Sequence, residues 1–114
     1  MIAFLHIPKT AGSTIKNIFH GQYSKEEAYY INGVSPSKSL EQLNNFDSKK
    51  ELKLVFGHID FGSLPSEIQN TEYVTFLRDP LDRVVSHYFY AKNTPKHYLY
   101  EQIKKENITL KEYV

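Results

Sequence analysis

The sequence predicts an α/β protein in which a central parallel sheet is flanked by helices. Three short apolar runs, near residues 2–6, 52–56 and 73–77, have the length and composition of buried strands. Segments with apolar residues at helical spacing follow these runs, and an alternation of strands with helices is typical of a parallel sheet. The chain has 114 residues, so we expect a single domain over residues 1–114.

The first half of the chain opens with a strand, a loop and a helix. Residues 2–6 form the strand, and apolar residues at helical spacing predict a helix from Ser13 to about His20. Residues 21–37 lack a clean period and contain glycine and proline, which predicts a loop. A capping-box pattern that starts at Ser39 predicts a short helix ending before Asp47.

The second half contains the clearest helix signal. After the strand at 52–56, a serine cap and a proline predict a short helix at 63–69, and the third strand follows at 73–77. Asp79 and Pro80 form a strong helix start, and apolar residues recur behind them at helical spacing as far as Phe89. Apolar residues between Tyr98 and Ile103 predict another helix.

A second capping-box pattern stands at the end of the sequence. Thr109 is followed by Glu112, and the chain stops two residues later. A helix start with no helix behind it favours the interpretation that the domain lacks a C-terminal part. The absence of such a part would leave surface exposed, and exposed surface favours self-association, so we consider a homo-oligomer possible.

Composition and charge exclude several classes of protein. A net charge of +1 argues against a nucleic-acid partner, although a local basic site for one phosphate remains compatible with it. The absence of cysteine excludes disulfides and thiolate metal sites. No histidine pair has metal-binding spacing, so we predict no metal site. The apolar start is too short for a membrane span or a signal peptide, which favours a cytoplasmic protein.

Residues 6–14 have the chemistry of a phosphate-binding loop. A strand leads into Lys9, Thr10, Ala11, Gly12, Ser13 and Thr14, where a helix begins. Helix N-termini present unpaired N–H groups and partial positive charge, and lysine and hydroxyl groups add donors. The Walker pattern G-x-x-x-x-G-K-[ST] is absent. An ordinary strand–turn–helix with a serine cap is the alternative interpretation.

Arg78 and Ser86 form a second candidate. Arg78 lies at the predicted end of a strand, where open α/β sheets bind their ligands, and Ser86 borders the apolar stripe of the following helix. A guanidinium matches phosphate oxygens in a bidentate fork. The alternative is that Arg78 pairs with Asp79 or Asp82 and that Ser86 is a surface residue.

His58 is the third candidate, because it follows the second strand in a glycine-flanked loop. A histidine with an ordinary pKa could act as a general base. His6 lies on or beside a buried strand, and we expect a structural role for it. The other histidines have no supporting context in the sequence.

Together these motifs resemble the Golgi-type carbohydrate sulfotransferases. Residues 6–14, His-Ile-Pro-Lys-Thr-Ala-Gly-Ser-Thr, are similar to their 5′-phosphosulfate loop, which often reads H-x-P-K-T-G-G-T. Residues 75–88 resemble their 3′-phosphate segment, R-D-P-x-x-R-x-x-S-x-Y/F. Gly57-His58-Ile59 is similar to the G-H-V segment of the heparan sulfate 2-O-sulfotransferases, which carries their base. Alanine at position 11 and serine at position 13 depart from the family loop.

The resemblance implies a P-loop-like three-layer fold and a sulfuryl transfer. The donor would be 3′-phosphoadenosine 5′-phosphosulfate (PAPS), with its phosphosulfate on residues Lys9–Thr14 and its 3′-phosphate at Arg78 and Ser86. The acceptor would be a hydroxyl group, with a carbohydrate as the preferred candidate. His58 would act as the base, Lys9 would stabilise the leaving phosphate, and no metal would be needed. Two alternatives stay open: a PAPS- or nucleotide-binding remnant without activity, and a P-loop kinase acting on a small molecule.

Overall fold

A computed structural model of the chain describes residues 1–31, 41, 43–45, 52–66, 68 and 70–114. The strands and helices with described bounds are β1 (Ile2–Leu5), α1 (Gly12–His20), β2 (Ala28–Tyr30), β3 (Leu54–Gly57), β4 (Glu72–Thr75), α2 (Pro80–Asn93), α3 (Tyr100–Lys105) and α4 (Leu110–Tyr113).

The strands form one parallel sheet, which confirms the predicted α/β class. The strand order is β2-β3-β1-β4, and every pairing is parallel. Leu5, the last residue of β1, is in register with Gly57 of β3 and with Thr75 of β4. The carboxyl ends of these three strands therefore lie at one edge of the sheet, where parallel α/β sheets bind ligands.

Alternate residues of a strand point to opposite faces of the sheet, and apolar side chains pack on both faces. On one face, Phe4, Leu54 and Phe56 pack against Ile15 of α1. On the other face, Ala3 and Val55 pack with apolar side chains from the connecting segments, namely Ile31, Leu43, Leu52 and Ile59. The two middle strands, β1 and β3, are apolar on both faces for this reason.

The predicted loop at residues 21–37 is partly wrong, because it contains β2. Ala28 is buried, and β2 pairs with β3 with Ala28 opposite Leu54. The Lys53 and Leu54 amides donate to the Glu27 carbonyl, which holds the start of this pairing. Three residues are too few to show a period in the sequence, so the strand depends on its pairing partner.

The predicted helix at 63–69 is also wrong for the residues that the structure describes, because none of residues 63–66 and 68 is helical. Ser63 donates its hydroxyl to the Asp60 carbonyl at 2.7 Å and closes a turn instead of capping a helix. For the helix predicted behind Ser39, positions 39, 40 and 42 lie outside the described residues. Glu41, Leu43 and Asn44 are helical.

The three helices after β4 share a small core of their own. Tyr88, Ala91 and Ile103 are buried together, and the Tyr88 hydroxyl donates to the Ile108 carbonyl at 2.9 Å. The capping box at Thr109 and Glu112 is confirmed, and a single turn of helix, α4, follows it. Among the described residues, no helix has the length and apolar character needed to cross a membrane.

By their contacts the residues divide into two compact units. The first consists of residues Met1–Ile7 and Ala11–Phe76, and the second of Pro8–Thr10 and Leu77–Val114. The sheet and α1 belong to the first unit, and helices α2 to α4 belong to the second.

Candidate functional site

The loop between β1 and α1 has an unusual backbone. Lys9 and Ala11 both have positive φ, at 69° and 64°. For residues with a Cβ atom this left-handed region costs of order 1–3 kcal/mol each and is typical of functional loops. The predicted phosphate loop therefore has a fixed, strained conformation rather than that of an ordinary turn.

The N-terminus of α1 is left open to an anion. Ala11 is its N-cap and makes no side-chain cap bond, and the first turn contains no acidic residue. Gly12 is buried, whereas Ser13 and Thr14 are exposed. Because the first N–H groups of a helix lack partners within it, this end can bind phosphate. The alternative of a serine cap is wrong, since Ser13 lies inside the helix.

The N-terminus of α2 is different, because a side chain of the chain itself satisfies it. The Asp79 carboxylate accepts from the amides of Leu81 and Asp82 at 2.9 and 3.1 Å, and Pro80 follows it as predicted. This helix end carries its own anion. Asp79 is therefore engaged in the cap rather than in an ion pair with Arg78.

In the second unit, two arginines bind backbone carbonyls of the loop at Pro8 and Lys9. Arg83 donates from Nε to the Pro8 carbonyl at 3.0 Å, and Arg78 donates from Nη1 to the Lys9 carbonyl at 3.4 Å. The Lys9 ammonium lies 4.4 Å from the centre of the Tyr90 ring. Arg83 and Tyr90 were not among the predicted site residues. Arg83 could have been found from sequence, because it is the second arginine of the R-D-P-x-x-R motif.

The structure brings Arg78 to Lys9 and leaves both accessible. Arg78 is exposed, and a guanidinium has five N–H donors, of which the bond to Lys9 uses one. Ser86 is half-buried on α2, and Thr10 is buried with 4% exposure. Arg78 and Lys9 form a basic pair next to the exposed start of α2.

In the first unit, His58 lies against His6. Their ring centres are 4.7 Å apart in a stacked arrangement, and Nδ1 of His58 is 2.7 Å from the His6 carbonyl oxygen. The strand register explains this pair, because each histidine directly follows one of the matched residues Leu5 and Gly57. Burial, and then the charge of His58, lower the pKa of His6.

The His6 ring also fills the space beside Gly12. A Cβ atom at position 12 would lie 1.8 Å from Nε2 of His6, a distance that no side chain could have. Gly12 is therefore required by the contact with His6 as well as by any approach of a phosphate. His6 was expected to be structural, and its contacts join the loop glycine to the candidate base.

A second histidine cluster lies in the second unit. His87 is 2.5 Å from the Tyr113 hydroxyl, and its pKa is lowered by burial and then by His97, Arg83 and Lys9. It borders a half-open cavity of about 580 Å³, whose lining is completed by Arg83, Val84, Tyr98, Leu99, Tyr113 and Val114. Within the described part of the chain, no three histidine, aspartate or glutamate side chains converge as metal ligands do.

The sequence profile of the sulfotransferase family matches residues 1–113. The chain therefore belongs to the sulfotransferase family. The matched range includes the predicted phosphate loop and the R-D-P motif at the start of α2.

Among individual proteins, the chain is similar to the human heparan sulfate 2-O-sulfotransferase 1, at 29% identity over 105 residues. That match covers 81% of this chain and 29% of the human protein. The Caenorhabditis elegans heparan sulfate 2-O-sulfotransferase hst-2 is 26% identical over 104 residues, 81% of this chain and 32% of the relative.

A protein-tyrosine sulfotransferase of Arabidopsis thaliana is 30% identical over 102 residues, which are 87% of this chain and 19% of that protein. The chain thus spans less than a third of the length of the relatives that it matches. No solved structure matches it significantly.

Proposed function

We propose that the protein transfers a sulfuryl group from PAPS to a hydroxyl of a carbohydrate. The observation that carries this proposal is the uncapped N-terminus of α1 behind a strained, lysine-containing loop, in a chain of the sulfotransferase family. Two of the relatives above are named for the sulfation of heparan sulfate, which favours a carbohydrate acceptor.

For the donor, we assign the phosphosulfate to Lys9, Thr10, Ala11, Gly12, Ser13 and Thr14. Backbone N–H groups at the start of α1 and the Lys9 ammonium are suited to phosphate oxygens. We assign the 3′-phosphate to Arg78 and Ser86, because Arg78 is exposed and keeps donors beyond its bond to Lys9.

In the transfer, the acceptor oxygen attacks sulfur, and the bond from sulfur to the bridging phosphate oxygen breaks. The electron pair of that bond leaves with 3′-phosphoadenosine 5′-phosphate (PAP). Lys9 and the α1 amides stabilise this developing charge, and His58 takes the proton of the acceptor hydroxyl. Lys9 supplies the positive charge at the leaving group, so the proposal includes no metal.

The first test is calorimetric titration of the chain with PAP and, separately, with ATP and Mg²⁺. Binding of PAP without binding of ATP supports the proposed donor. Binding of ATP alone would replace it with the kinase alternative. Tight PAP binding without transfer from PAPS to either desulfated heparan sulfate or a tyrosine-containing peptide would support the non-catalytic remnant.

Lys9→Ala should weaken PAP binding. A hydrogen bond to a charged group contributes about 1.5–3 kcal/mol, which corresponds to roughly a 10- to 100-fold rise in Kd. Lys25→Ala is the matched control, because Lys25 is exposed and lies outside the loop. Equal PAP affinities of the Lys9→Ala variant and the unaltered chain would remove Lys9 from the donor site.

His58→Ala should separate binding from chemistry. The loss of a general base lowers kcat by about 10²–10⁴, while PAP affinity should stay near that of the unaltered chain. Transfer of ³⁵S from PAPS to desulfated heparan sulfate measures the first, and calorimetry measures the second. Full turnover in the variant would show that His58 is not the base.

A further inference from the structure

The contact between His6 and His58 determines which nitrogen of the His58 ring can accept a proton. Nδ1 of His58 lies 2.7 Å from the carbonyl oxygen of His6. A carbonyl oxygen only accepts hydrogen bonds, so Nδ1 of His58 carries the hydrogen and donates it. In the neutral ring the lone pair is then on Nε2, because a neutral imidazole has one donor and one acceptor nitrogen.

This bond alone does not fix the ring, which could still turn about it. The side chain of His6 supplies the second constraint, since the two rings stack at 4.7 Å with 26° between their planes. Two further neighbours, Phe56 and Gly12, hold the His6 ring in place. It stacks on Phe56 at 5.5 Å, and its Nε2 edge fills the space above Gly12.

We propose that His6 is a positioning residue for His58: its carbonyl selects the His58 tautomer with the lone pair on Nε2, and its ring, braced by Gly12 and Phe56, fixes the plane of the His58 ring. The inference rests on the proposed function, in which His58 is the base. In this proposal His6 is not a catalytic residue, because it acts through His58 and its Nε2 edge faces Gly12.

Charge and burial are compatible with this role. His6 is half-buried, and its titratable neighbour in the structure is His58, whereas Phe56 and Gly12 carry no charge. Burial and the neighbouring His58 lower the pKa of His6, so His6 stays neutral at neutral pH. A neutral neighbour does not oppose the positive charge that His58 gains when it takes a proton.

The direct test is ¹⁵N NMR of the histidine side chains in the whole chain without PAPS. The His58 signals, assigned by their loss in His58→Gln, should show a protonated Nδ1 and an unprotonated Nε2. A protonated Nε2 in neutral His58 would overturn the proposal. This measurement needs no sulfuryl transfer, so its failure is separate from failure of the proposed function, which PAP titration detects.

Two substitutions of His6 distinguish positioning from simple filling of the core. His6→Phe keeps a flat ring and the backbone carbonyl, so the His58 tautomer should persist. His6→Ala keeps the carbonyl but removes the ring that holds His58 in the orientation of the Nδ1–carbonyl bond, so this bond should form only part of the time and His58 should populate both tautomers. If His6→Ala retains the single tautomer of the unaltered chain, the ring has no positioning role.

Gly12→Ala tests the brace from its other side. The new methyl group overlaps the His6 ring, so this ring has to move, and it is the ring that stacks on His58. Gly12→Ala should therefore disturb the His58 signals as His6→Ala does, and the double variant should show no additional change. Independent, additive effects of the two substitutions would contradict a shared path through the His6 ring.

Turnover supplies the last measurement. His6→Ala should lower kcat for ³⁵S transfer to desulfated heparan sulfate by up to about 10²-fold, the effect expected when a catalytic group is misplaced by about 1 Å. The Kd for PAP should change little, and His6→Phe should recover most of the lost kcat. A loss of PAP affinity equal to the loss of kcat would assign His6 to donor binding instead.

Discussion

Two histidines, His6 and His87, have a pKa below the ordinary value of 6.5, and burial is the main cause in both. The unfolded chain then binds more protons than the folded chain as pH falls through this range. Burying these two rings in the neutral form therefore makes the free energy of unfolding depend on pH. Their contribution is complete above about pH 6.5 and is lost as pH falls through the pKa values of the folded state.

We expect His6→Phe to reduce this sensitivity to acid. Phenylalanine keeps the ring but does not titrate, so the free energy of unfolding should fall less between about pH 7.5 and pH 5.5 than it does in the unaltered chain. Urea unfolding followed by circular dichroism at both pH values measures the difference. His87→Phe provides an independent second case. An unchanged acid dependence in both variants would contradict the pKa directions.

At the scale of the element, the N-termini of α1 and α2 differ in whether a side chain of the protein caps them. Helix α1 has no side-chain cap, whereas Asp79 caps α2 with two hydrogen bonds. An uncapped start has a lower intrinsic stability, and a bound phosphate would supply the missing acceptors. Of these two helices, α1 is the one whose N-terminus has no side-chain cap.

Asp79→Ala should lower the stability of the chain by about 1 kcal/mol, the usual effect of losing an N-cap. Urea unfolding measures the change, and Asp79→Asn is the matched control because it keeps an accepting oxygen. The asparagine variant should be closer to the unaltered chain than to the alanine variant. Equal losses in both would mean that the carboxylate charge, and not the cap, stabilises α2.

The elements that the sequence predicted correctly are those with local signals. Asp79 and Pro80 specify the start of α2 by their own chemistry. The capping box of Thr109 and Glu112 was also predicted correctly, although the single turn of α4 behind it was not. Strand β2 was missed because its three residues acquire their structure by pairing with β3. Ser63 was misassigned because a serine can close a turn as well as cap a helix.

The same distinction applies to the candidate site. The proposed phosphate loop is contiguous, so its lysine, glycine and hydroxyl residues could be predicted as candidates from sequence. The partnership of His6 and His58 depends on the register of β1 with β3, and the sequence contains no local signal for that register. The contact of His6 with Gly12 is likewise a matter of tertiary packing.

At the scale of the whole molecule, β4 is the strand at one edge of the described sheet. It pairs with β1 on one side, and Val74 on the strand and Phe76 just after it are exposed by 38% and 51%. An exposed edge with apolar side chains is a template for pairing with another chain. We therefore expect the chain to self-associate at high concentration.

Val74→Lys should reduce that self-association, because a lysine on an edge strand opposes pairing with a second strand. Sedimentation velocity over a range of protein concentrations measures the effect. Lys25→Glu is a control for a change of charge away from the edge, on an exposed residue. Identical concentration dependence in the Val74→Lys variant and the unaltered chain would show that β4 is not the contact.

The central place of β1 has a consequence for synthesis. Of the four described strands β1 is synthesised first, yet it lies between β3 and β4, and the Thr75 hydroxyl donates to the Leu5 carbonyl across 70 positions. At roughly 5–20 residues per second, that separation takes about 4–14 seconds to translate. During this interval the apolar β1 segment lacks β4, and until residues Leu54–Gly57 are made it lacks β3 as well, so we expect the nascent segment to be a binding site for chaperones.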